Sequence, residues 1–130
     1  MTAAIENAVH RPDAPDHFFV LRPVAQLVTC TLREREIAAS KRAFWLLEGG
    51  KTLYPPVIYM PPEDVKITLA RVPENTHCPL KGDATYFIEE GDGRIRKLAW
   101  SYENPFEFST AIKGLIAFDP ALIQFTLSPR

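Results

Sequence analysis

The chain has little of what marks the common catalytic and recognition scaffolds. Of its 130 residues only two are cysteine, Cys30 and Cys78, and only three are histidine. No Cys-x-x-Cys and no histidine pair stands at ligand spacing, so no metal is expected and a structural zinc site finds no support. Two thiols make no disulfide framework, and both are expected to be reduced, as in the cytoplasm. No apolar run approaches the ~20 residues of a membrane helix. The start, Met1-Thr2-Ala3-Ala4-Ile5-Glu6-Asn7, has neither the basic region nor the apolar stretch of a signal peptide. The expectation is a cytoplasmic protein with no membrane partner. Charge of one sign is also missing. Fifteen Lys and Arg against 16 Asp and Glu leave a net −1, which is no basic footprint for nucleic acid.

Familiar motifs fail as well. Gly50-Lys51-Thr52 imitates the end of a phosphate loop, but the glycine needed five positions earlier is Trp45. No nucleophile-elbow pattern marks a serine. Glu89 and Glu90 sit at a hairpin end while Asp64, Asp83 and Asp119 stand singly, a poor basis for metal-assisted phosphoryl chemistry. No cofactor is assigned.

What is present is proline, twelve residues of it, spread so that long helices have no room. Residues 1–22 read as an extended N-terminal arm, and residues 23–130 as one domain. Short strand-like runs fill that domain. Runs at 26–32 and 36–40 flank a polar tip, Arg33-Glu34-Arg35, as a hairpin would. Apolar runs follow at 43–47 and 57–60. Pro62-Glu63-Asp64 suits a single helical turn. Residues 84–90 and 94–100 bracket Gly91-Asp92-Gly93, the clearest hairpin signal. Runs at 115–118 and 122–127 complete a mainly β reading.

Chemistry concentrates in Thr76-His77-Cys78-Pro79-Leu80-Lys81-Gly82, which places an imidazole, a thiol and an amine in one turn-like segment. His77 and Lys81 are the groups that could lower the pKa of the Cys78 thiol. Pro79, however, pushes Cys78 towards extended backbone, where adjacent side chains point to opposite faces. A Cys78–His77 dyad is therefore awkward, and a buried, structural Cys78 is the stronger reading. His77 fits either a loop-fixing hydrogen bond or a general base lining a pocket. Lys81 is either a ligand contact or a solvated lysine before a turn glycine. A second constellation follows at residues 100–105. If residues 94–102 are a strand, Leu98, Trp100 and Tyr102 share one face. Trp100 and Tyr102 can then wall a pocket or pack in a core, with Tyr86 nearby.

Three blocks carry a resemblance. Ile58-Tyr59-Met60-Pro61-Pro62-Glu63-Asp64-Val65 is similar to a Tyr-Phe-Pro-x-x-Asp-Val block. Residues 76–82 with Ala84 and Tyr86 resemble Thr-x-Cys-Pro-Tyr-Lys-Gly-x-Ala-x-Tyr. Residues 99–102, Pro105 and 112–118 resemble a closing block of the same family. The family is the bacterial and archaeal domain of unknown function 427 (DUF427), also filed as nucleotidyltransferase-like. Departures are Met60 for phenylalanine, Leu80 for tyrosine and Phe87 for tryptophan. The resemblance implies a single small β domain of two leaning antiparallel sheets, tent-shaped and Mss4-like, with short helical turns. Relatives with such folds carry zinc, but this chain lacks their cysteine pairs. The nucleotidyltransferase label meets no glycine–serine loop leading to paired aspartates here.

The expected function is small-molecule binding in an aromatic and polar pocket formed by residues 76–82 and 100–105. Its candidate ligand-binding residues are His77, Lys81, Tyr86, Trp100 and Tyr102. An enzyme using His77, Cys78 or Lys81 is the first alternative, and a structural or partner-binding domain the second.

Overall fold

A computed structural model describes residues 6–130, so part of the expected arm, residues 1–5, lies outside the described residues. Strand formation follows the period-2 alternation of the sequence and the turn residues that interrupt it. The strands in order are β1 (Val9–His10), β2 (Phe18–Pro23), β3 (Leu27–Leu32), β4 (Arg35–Ser40), β5 (Phe44–Gly49), β6 (Val57–Tyr59), β7 (Leu69–Cys78), β8 (Gly82–Glu89), β9 (Ala99–Ser101), β10 (Ile116–Phe118) and β11 (Gln124–Ser128). A single turn of 3₁₀ helix spans Pro62–Asp64, and two short 3₁₀ segments meeting at a kink at Ser109 span Glu107–Ile112.

The class is mainly β and antiparallel, as expected, but the described strands divide among three sheets rather than two. Their orders are β1-β2-β5-β6, β10-β9-β8-β7 and β11-β3-β4. The first two sheets are stitched by a bridge between Met60 and Ile116. The third is formed by the expected hairpin at Arg33 and Glu34, which turn with positive φ of 50° and 68°, joined by β11 along β3.

Apolar residues from these sheets make two cores. The first gathers Val28, Cys30, Ile37, Met60, Phe87, Leu98 and Phe118 between the third sheet and one face of the second. The second gathers Phe19, Leu46, Tyr59, Leu80, Tyr102 and Ile112 between the first sheet and the opposite face of the second.

Three local expectations change. The described part of the N-terminal arm is extended but paired, with β2 running antiparallel to β5 from Phe18↔Gly49 to Pro23↔Phe44. Phe19 is fully buried there, because the second core needs a cover that the sheet alone does not supply. The strand expected over residues 94–100 shrinks to Ala99–Ser101. Asp92 instead accepts hydrogen bonds from the Arg94 backbone and guanidinium, holding the chain in a loop. Leu98, lying in that loop, turns into the first core while Trp100 and Tyr102 join the second. Finally, residues 76–78 are no turn: they end the ten-residue strand β7.

Candidate functional site

The tight connection from β7 to β8 is Pro79-Leu80-Lys81, and each residue around it has a structural reason. Leu80 is fully buried in the second core, and its carbonyl accepts a hydrogen bond of 2.7 Å from Ser109 Oγ. Gly82 has φ of +110°, and a Cβ there would lie 3.3 Å from both the Phe106 nitrogen and Pro105 Cα. Glycine thus allows Pro105 to bridge to Gly82 and Phe106 N–H to donate to the Lys81 carbonyl at 3.2 Å. The two segments expected to build one pocket do meet, as a braced turn.

The turn aims Lys81 inward. Its side chain is 11% exposed, and Nζ donates to Glu48 Oε1 at 2.7 Å. It also sits 5.3 Å from the centre of the Tyr102 ring. Burial works against the ammonium, but Tyr59, Tyr102 and Glu48 outweigh it, and the Lys81 pKa stands above the ordinary lysine value. Burial likewise raises the Tyr59 and Tyr102 phenols. The other oxygen of Glu48, Oε2, lies 2.8 Å from His17 Nε2. A chain of three ionisable side chains, Lys81–Glu48–His17, is thereby held almost dry, since His17 is 16% and Glu48 10% exposed.

This chain underlies a cleft of about 620 Å³. Arg11, Pro15 and His17 form one side, and Glu48, Lys51 and Tyr54 another. His77, Cys78 and Pro79 close the third. Because Glu48 is an ionised carboxylate facing Lys81, it can only accept, so His17 Nε2 is the donor. In neutral His17 the lone pair then sits on Nδ1.

The sequence-predicted residues divide. His77 and Cys78 both line the cleft. Both stand on extended backbone at the end of β7, and His77 is exposed, with Nδ1 2.8 Å from Asp83 Oδ1 and its ring edge-on to Phe106. Cys78 is half-buried against the second core. Lys81 reaches the cleft only through Glu48. Tyr102 lies beneath Lys81, and Trp100 donates from Nε1 to the Tyr59 hydroxyl at 3.0 Å. Tyr86 shares a 2.9 Å hydrogen bond with Thr76 Oγ1, under the Lys97 ammonium. None of these three aromatic residues lines the cleft.

Residues that sequence reasoning missed are His17, Glu48, Arg11, Lys51 and Tyr54. No local spacing marks them, since His17 and Glu48 are 31 residues apart. The one available signal was the Phe18-Phe19-Val20-Leu21 run, which is strand-like and would have carried His17 into a sheet. Among the described residues no group of three or more His, Cys, Asp or Glu gathers as a metal site. Among the same residues no helix is long and apolar enough to cross a membrane.

Comparison with known proteins adds a family. The family model described as a domain of unknown function, DUF427, matches residues 20–128. No curated protein matches the chain.

Proposed function

The chain belongs to the DUF427 family, and from that premise we propose that it binds a small organic anion in the cleft between His17, Lys51 and Cys78. The observation that carries this reading is the Lys81–Glu48–His17 chain beneath the cleft. Drying three ionisable groups costs stability, and a fold that carries that cost beneath a concave surface marks the cleft as a candidate site. Lys51, on the rim, has no ion-pair partner among the described residues. Beside it, Tyr54, Pro15 and Pro79 offer apolar surface for the body of a ligand.

Thermal-shift titration with benzoate, phenyl phosphate and neutral benzyl alcohol tests this. The anions should stabilise the wild type, and Lys51→Met should abolish that effect without changing the unliganded melting temperature. No shift with any anion, or one that Lys51→Met leaves intact, overturns the reading.

One observation favours a second reading, a thiol enzyme. Cys78, His17 and Glu48 line one cleft, with Glu48 fixing the His17 tautomer, which is the nucleophile–base–orienter logic of cysteine-dependent acyl transfer. The base is then His17, not His77. Alkylation of Cys78 by iodoacetamide should be fast at neutral pH and slowed at least tenfold by His17→Asn. Equal rates would leave Cys78 without an activating base.

A further inference from the structure

On the opposite face of the second sheet lies another cavity, of about 410 Å³, set between β7–β10 and the segment that follows the Pro62–Asp64 turn. Its floor holds an anomaly. Ser101 is 1% exposed, yet its Oγ has no hydrogen-bond partner among the described residues. A buried hydroxyl is nearly always paired, because leaving it unmet forfeits its hydration. The register explains why no neighbour supplies the partner. Ser101 in β9 stands between Thr85 of β8 and Ile116 of β10. Ile116 is apolar, and Thr85 makes no hydrogen bond to the Ser101 hydroxyl.

The surrounding chemistry narrows what would satisfy the hydroxyl. Val65, Ile67, Leu69 and Phe87 make the walls apolar. At the mouth the Arg71 guanidinium donates twice to Glu103, at 3.0 and 2.5 Å, and lies 5.8 Å from the centre of the Phe87 ring. That fork-to-carboxylate pair neutralises itself, so the mouth offers no net charge to recruit an ion. We propose that this cavity is a second binding site, for a neutral ring-bearing molecule whose single hydroxyl or carbonyl group meets Ser101 Oγ. It is independent of the cleft at Lys51, whose ligand is charged.

Two-dimensional amide NMR of the wild type, titrated with phenol and with toluene, tests the assignment. Phenol should shift the Phe87, Ser101 and Ile116 amides and leave those of His17 and Lys51 in place. Ser101→Ala should weaken phenol binding roughly threefold to tenfold, the worth of one hydrogen bond, and leave toluene binding unchanged. Because the free protein loses only an unmet hydroxyl, the variant should be at least as stable as the wild type. Phenol that binds Ser101→Ala as well as wild type overturns the proposal. So does phenol that shifts no amide around this cavity, the result expected if the hydroxyl merely holds a water.

Discussion

Lys81, in the turn between β7 and β8, donates to Glu48 of β5 at 2.7 Å across 33 residues of sequence. The pair joins the second sheet to the first under the cleft. Removing one partner leaves the other charge buried and uncompensated, which typically costs about 3–5 kcal/mol. Glu48→Gln and Lys81→Met should each show a loss of that order in urea unfolding. The double variant should lose clearly less than their sum. Additive losses would mean that the two charges are not coupled.

Alkaline stability follows from groups whose folded pKa is raised. Burial pushes the Cys30 thiol from 9.0 up to about 12, and the pKa values of Lys81, Tyr59 and Tyr102 are raised as well. A raised folded pKa means stability that is complete below the unfolded pKa and lost as pH climbs through the folded one. The urea midpoint should therefore fall from about pH 9 upwards, with Cys30 acting first and Lys81 and the phenols above about pH 10. Cys30→Ala should flatten the curve between pH 9 and 10. An unchanged slope there would remove Cys30 from the account.

The two thiols should differ in the folded protein. Cys30 is fully buried in the first core, while Cys78 lines the cleft. Iodoacetamide should label Cys78 alone under native conditions and both thiols in urea, read by peptide mass spectrometry. Native labelling of Cys30 would contradict the burial.

Glycines near the two ends of β8 should respond unequally. Gly82→Ala meets a positive φ and backbone atoms at 3.3 Å, and should cost roughly 1–3 kcal/mol. Gly93 has no such φ and nothing within 4 Å, so Gly93→Ala should be near neutral in the same unfolding assay.

The fold was legible wherever one stretch of chain decided its own structure. Short strand-like and apolar runs between turn residues named β3 through β6, and the polar tip at Arg33-Glu34-Arg35 named their first hairpin. Where a residue's place depended on distant partners, local reading failed. Phe19 looked like part of an arm because its burial needs the second core. Residues 94–98 looked like strand because their alternation does not reveal Asp92 holding Arg94 in a loop. The site divided the same way. Pro79 pointed to extended backbone at Cys78, and β7 does run extended through Cys78, a consequence of backbone geometry alone, yet His77 and Cys78 still line one cleft. His17 carried no telling local spacing.

By itself, then, the sequence determined the β class, the family blocks and the extended geometry around Cys78. All of these rest on contacts and steric limits within a few residues. Only the tertiary structure decided that Lys81 is buried rather than solvated, that Glu48 joins it to His17, and that Ser101 lies unpartnered beneath a cavity. Those facts depend on where three sheets bring side chains tens of residues apart. A charge is buried only if a partner arrives with it, and chain topology, not local pattern, supplies that partner.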